Sequence, residues 1–109
     1  MLISASGAAL DLCVLAIIAK GDAYGYTLTQ RVNASLEVSE STIYPVMRRL
    51  TTHNCLETYD TPHEGRLRRY YRLTDTGRET LAKLLGAWRQ FVGAVDEILV
   101  GGETSGAED

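Results

Sequence analysis

From Leu81 to Leu99 the apolar residues keep a heptad step without a break. Leu81, Trp88 and Val95 share one position, Leu84, Phe91 and Ile98 a second, and Leu85, Val92 and Leu99 a third. This spacing demands a helix, and the helix demands cover, because nine large apolar residues make a wide stripe. A chain of 109 residues is expected to form one domain with a thin margin of buried surface. Part of the stripe can pack on the apolar segment Leu10–Ile18, and the rest calls for a second copy of the chain. Leu84, Leu85, Trp88, Phe91, Val95 and Ile98 are therefore candidate dimerisation residues of a homodimer. The helix starts at Thr74, or at Thr76 with Glu79 completing a capping box. Gly101-Gly102 is expected to end it, and 101–109, small and acidic, to be a disordered tail.

The rest of the chain excludes several classes. At 45% hydrophobic and 23% charged residues, the composition is that of an ordinary soluble globular protein. The longest apolar stretch, Ala8 to Ala19, contains Asp11 and is too short for a membrane span. No Lys or Arg precedes Lys20, so a secretory leader is not expected. Cys13 and Cys55 stand 42 positions apart and make neither a disulfide framework nor a zinc site. The expected setting is cytoplasmic, with reduced thiols, no membrane, no metal and no cofactor. No Gly-rich phosphate loop or nucleophile–base motif points to an enzyme.

The net charge of −3 hides an asymmetry. From Arg48 to Arg72 the local charge is +3, and from Glu79 to Asp109 it is −4. One part can face a polyanion while the other cannot. Nine of the eleven bases are Arg, the type suited to planar contacts with phosphate and guanine.

Residues 1–7 are expected to fray, and 8–20 form a helix buried on most faces. Gly21 stops it and Asp22 can cap the next, about 24–36, with Leu28, Val32 and Leu36 on one side. A third helix begins at Ser39 or Ser41; Pro45 fits best in a first turn, favouring the later start. Ile43, Val46, Met47 and Leu50 form its core stripe, and Asn54 ends it. Leu56–Asp60 and Arg66–Leu73 read as two strands, with Thr61-Pro62-His63-Glu64-Gly65 as a longer hairpin loop. The fold class is mainly α with a small β-hairpin: a winged helix-turn-helix over 1–73, then a dimerisation helix over 74–100.

This plan exposes particular residues. Opposite the core stripe the third helix carries Ser41, Pro45, Arg48 and Thr52, flanked by Thr42, Tyr44 and Arg49. These short polar groups and guanidinium forks fit a major groove. Arg66, Arg68 and Arg69 on the hairpin can reach flanking phosphate or minor groove. Double-stranded DNA is the expected partner. A winged-helix protein-interaction module without specific DNA binding is the alternative, and would not need the outward Arg set.

Three stretches resemble the PadR family of bacterial transcriptional regulators. Tyr24-Gly25-Tyr26-Thr27-Leu28 is similar to the family's Tyr-Gly-Tyr-x-Leu. Thr42-Ile43-Tyr44-Pro45-Val46-Met47-Arg48-Arg49-Leu50 is similar to its recognition helix. Gly65-Arg66-Leu67-Arg68-Arg69-Tyr70-Tyr71-Arg72-Leu73-Thr74, with Gly77, is similar to its wing. Leu67 and Thr51 depart from the usual pattern. The resemblance implies a DNA-binding winged helix and a homodimer joined through the C-terminal helix, as in the small subfamily, and favours repression. It also implies one use for Trp88: an aromatic pair at the dimer centre that takes an aromatic effector.

Three residues keep two readings each. Arg49 binds phosphate or pairs internally with an acid. Tyr44 reaches a phosphate or braces the wing. Trp88 fills the dimer interface or lines an aromatic effector slot.

Overall fold

The structure, a computed structural model, describes residues 7–108, with side chains through Gly101. Residues 1–6, part of the expected frayed segment, and Asp109 lie outside it. The elements in chain order are α1 (Gly7–Ala19), β1 (Ala23–Tyr24), α2 (Gly25–Leu36), α3 (Glu40–Thr52), β2 (Leu56–His63), β3 (Arg66–Leu73) and α4 (Asp75–Glu108). The winged helix-turn-helix plan holds, with three differences in its connections.

The sheet has three strands, in the antiparallel order β1-β3-β2. The two-residue β1 pairs Ala23 with Tyr71 and Tyr24 with Tyr70. Asp22 therefore does not cap α2, whose N-cap is Tyr24. Its carboxylate instead accepts from the Tyr59 hydroxyl at 2.7 Å and from Arg72 Nε at 3.5 Å.

The hairpin loop is shorter than its composition suggests. Strand pairing runs to His63 opposite Arg66, leaving only Glu64-Gly65 at φ 50° and 78°. Two central residues at positive φ form the turn whose twist matches the flanking strands. Pro62 joins β2 because β2 is an edge strand, where a missing N–H need cost no ladder bond.

α3 starts at Glu40, with Ser39 as N-cap, so Pro45 sits inside the helix rather than in its first turn. Asn54, at φ 62°, ends it, and the Cys55 N–H returns to the Leu50 carbonyl at 2.8 Å. This left-handed stop is a common helix C-terminus.

The core is one cluster. Leu10, Val14, Leu15 and Ile18 of α1 meet Leu28 and Val32 of α2, Ile43, Val46, Met47 and Leu50 of α3, and Cys55, Leu56 and Leu73. β3 passes into α4 through Thr74. Its hydroxyl donates to the Asn54 carbonyl at 2.6 Å and accepts the Gly77 N–H at 2.9 Å. Here α4 crosses the chain so closely that a Cβ on Gly77 would lie 2.1 Å from the Cys55 carbonyl oxygen.

α4 packs its first half on α1, with Leu81 and Leu84 against the core. Its 34 residues make a rod of about 51 Å, which accounts for the molecule's 68 Å long axis against 28 and 20 Å. The backbone stays helical through Gly101-Gly102 to Glu108, where a disordered tail was expected. Each glycine costs a helix about 1 kcal/mol relative to Ala, but neither removes a hydrogen bond as proline would. Among the described residues, no helix is long and apolar enough to cross a membrane.

Candidate nucleic-acid interface

The outward face of α3 is as the periodicity places it. Ser41, Thr42, Pro45, Arg48 and Thr52 are exposed, while Ile43, Val46, Met47 and Leu50 are buried. Ser39 Oγ lies 2.9 Å from Ser41 Oγ and 3.4 Å from Thr42 Oγ1, so three hydroxyls cluster where α3 begins. Pro45 cannot donate to the Ser41 carbonyl, which leaves an acceptor on the same face.

The wing divides its arginines between two faces. Arg69 and Tyr71 turn toward α3 and line a cleft of about 510 Å³ with Tyr24, Tyr26, Tyr44 and Arg48. Gly25 lets this cleft close, since a Cβ there would lie 3.2 Å from Tyr71 Cε1. Tyr44 is half-buried in the cleft wall, and burial pushes its phenol up from the usual range. On the other face, Arg68 lies over the Tyr24 ring at 4.6 Å and Arg72 over the Tyr59 ring at 4.6 Å. Tyr59 and Tyr70 stack at 5.6 Å, and Tyr24 and Tyr70 lie 5.8 Å apart. The column packs the wing against β1.

Charge pairing separates the guanidiniums further. Arg72 reaches Glu57 at 3.2 Å and Asp22 at 3.5 Å. Arg69 lies 3.6 Å from Asp60, both well exposed, a weak pair that an incoming anion can break. Arg49 donates from both terminal nitrogens to Asp11, at 2.9 and 2.6 Å, so of its two readings the internal pair is the one seen. That bidentate contact pushes the Arg49 guanidinium further up. Arg48 and Arg66 have no acidic partner among the described residues.

Three contributors are not among the site residues expected from the sequence. Tyr24 and Tyr26 line the cleft through β1 and the start of α2, and Asp22 ties β1 to the wing. The aromatic spacing in Tyr24-Gly25-Tyr26 was visible, but a two-residue strand has no periodicity to read.

At the opposite end, Leu84 lines a second, apolar pocket of about 240 Å³ with Ala8, Leu12, Ala87, Trp88 and Phe91. Leu84 and Leu85 are half-buried. Phe91 is 61% exposed and Ile98 73%, with Trp88 and Val95 also open.

Three helices, a small sheet with a basic wing and a polar third helix beside it define a winged helix-turn-helix protein. Residues 14–83 match the Transcriptional regulator PadR-like family, and the chain belongs to that family of transcriptional regulators. It is 35% identical over 77 residues to the transcriptional regulator Rv3488 of Mycobacterium tuberculosis (strain ATCC 25618 / H37Rv), covering 70% of this chain and 72% of that one. The crystal structure of smu.1704 from Streptococcus mutans UA159 superposes with TM-score 0.87 at 36% identity, over 93% of this chain and 95% of that one. Bacillus subtilis PadR in complex with operator DNA is similar at TM-score 0.64 and 27% identity, over 70% of this chain and 46% of that one.

Proposed function

We propose that the protein binds duplex DNA sequence-specifically, as a homodimer on a near-palindromic operator, and represses transcription there. The carrying observation is the cleft between α3 and the wing. Arg48 and Arg69 flank it, Arg48 has no acidic partner among the described residues, and Arg49 and Arg72 nearby are neutralised. α3 supplies base-reading groups, and the wing's Arg66 and Arg69 supply phosphate contacts. The fold shared with an operator-bound PadR supports this reading. Such a regulator works in the cytoplasm at the nucleoid.

The homodimer reading is supported by α4. Trp88 and Phe91 border a pocket with α1 yet stay open, as do Val95, Ile98 and Leu99 further along, and a patch of that size on a lone chain invites association. Two-fold pairing would present two recognition helices to half-sites about 34–36 Å apart. Selection of bound duplexes from a random pool tests the reading, followed by titration of the recovered site against salt. Enrichment of an inverted repeat and a steep loss of affinity with salt are expected. Affinity without salt dependence would refute it.

Release by an aromatic effector is a second reading, favoured by the apolar pocket beside Trp88. A planar ligand there would sit against Leu12 of α1, one residue from the Asp11 that holds Arg49 of α3. It would act by preferring one spacing of the two recognition helices. Trp88 is the single tryptophan, so saturable quenching by flat aromatic compounds, abolished in pocket variants, is the expected result.

A further inference from the structure

Arg48 and Arg49 are adjacent on α3 and treated in opposite ways. Arg48 is exposed and has no acidic partner among the described residues. Arg49, about 100° further round the helix, gives both terminal nitrogens to Asp11 of α1. The Asp11 side chain is 16% exposed and that of Arg49 43%, so the guanidinium borders solvent on the flank of the DNA-facing surface.

The pair is not needed to join the two helices. α1 and α3 already share one apolar core through Leu10, Val14, Leu15, Ile43, Met47 and Leu50. An ion pair half open to water adds little to stability. Its geometry does something else. A long, always charged side chain on the flank of a recognition helix would otherwise reach the phosphates bordering the groove. Each phosphate neutralised strengthens binding to every sequence alike. Specificity is the ratio of operator affinity to that background.

We infer that Asp11 is a specificity-determining residue: by holding Arg49 against α1, it withholds that guanidinium from the DNA backbone and keeps sequence-independent affinity low. The inference rests on the DNA-binding reading above. Asp11 acts through Arg49 and is a positioning residue.

The experiment measures affinity against salt for the selected operator and for a random-sequence duplex. Asp11→Asn is expected to steepen the random-duplex slope of log affinity against log salt by about 0.9, the value of one phosphate contact. Random-duplex affinity at low salt should rise severalfold, so the operator-to-random ratio falls. Arg49→Gln alone should leave the wild-type slope unchanged, and Asp11→Asn with Arg49→Gln should restore it. Glu79→Gln, which removes one negative charge on α4, should change neither. An unaltered slope in Asp11→Asn, or an equal change in Glu79→Gln, overturns the inference. So does a flatter slope in Arg49→Gln, since that would place Arg49 on a phosphate already. If circular dichroism shows Asp11→Asn unfolded, Arg49→Gln decides alone: an unchanged slope supports the inference and a flatter one overturns it. Wild-type affinity indifferent to salt would overturn the DNA-binding reading as well. Salt-dependent wild-type binding with an unchanged Asp11→Asn slope overturns only the role of Asp11.

Discussion

The winged region and the far half of α4 are built to different degrees of completion. In the first, the large apolar side chains of α1, α2 and α3 are buried or packed against the core, apart from Tyr26 and the half-buried Leu12, which lines the pocket beside Trp88. In the second, Phe91, Ile98 and Leu99 are each more than 60% exposed. Apart from Leu67 on the wing, the winged region covers its large aliphatic side chains within one chain, while the end of α4 leaves a run of them open. A chain this small would gain from pairing through that open face, since association adds buried surface. In the proposed dimer this would also couple assembly to function, since a recognition helix that needs a second copy would read DNA only when paired.

The sharpest way to break this contrast is Ile98→Asp. A charge placed in an apolar interface is costly to desolvate, so the variant should sediment as a monomer. Its winged region should stay folded by near-ultraviolet circular dichroism. Operator affinity should fall by roughly 100-fold or more, because linked half-sites gain about that much over single ones. Leu84→Asp would be a poorer probe, since Leu84 also packs on its own core. Persistence of the dimer would show that the open face is not the interface. Global unfolding would show that the winged region is not self-sufficient.

The joint between the two regions comes next. Adding a Cβ at Gly77 drives it to 2.1 Å from the Cys55 carbonyl oxygen and 2.6 Å from Leu73 Cδ1. The first neighbour is backbone and cannot rotate away. Gly77→Ala should therefore cost stability near the upper end of overpacking, about 3 kcal/mol. Thermal unfolding should fall in both regions together. A near-neutral effect would mean that α4 docks on the core more loosely than Thr74 and Gly77 imply.

Arg48→Ala separates function from folding within the winged region. Arg48 is exposed, so the melting temperature should hold. Operator affinity should drop by about 1–3 kcal/mol if the guanidinium makes a bidentate base contact. A loss shared equally by operator and random duplex would instead assign Arg48 to phosphate.

The same contrast explains what was legible in the sequence. The α4 stripe and the α3 core face repeat over several turns, and repetition is what a single sequence displays well. Where the reading failed, the deciding partner was distant or the element too short. Asp22 looked like a local cap, but Tyr59 and Arg72 claim it from 37 and 50 residues away. Arg49 stayed ambiguous because Asp11, 38 residues back, decides it. Gly101-Gly102 looked like a stop, yet glycine weakens a helix without breaking its ladder.

The smallest effect tests the most local of these misreadings, the wing tip. Glu64 sits at φ 50° and Gly65 at φ 78°. Gly65 adopts this region without penalty, but a side chain like that of Glu64 meets the following carbonyl there, at about 1–2 kcal/mol. Asparagine tolerates the conformation better, and Asn-Gly is the preferred pair for this turn. Glu64→Asn also removes the contact of Glu64 with His63 at 3.8 Å, but both side chains are exposed, that of Glu64 strongly, so that loss is worth close to nothing. The net expectation is a gain of a few tenths to about 1 kcal/mol, less than the full strain because Asn is itself not strain-free. Denaturant unfolding should show a higher midpoint with an unchanged slope, since the surface buried does not change. A destabilised variant would mean that the tip is not the two-residue turn described. The longer loop read from Thr61 to Gly65 would then be the better account of the wing.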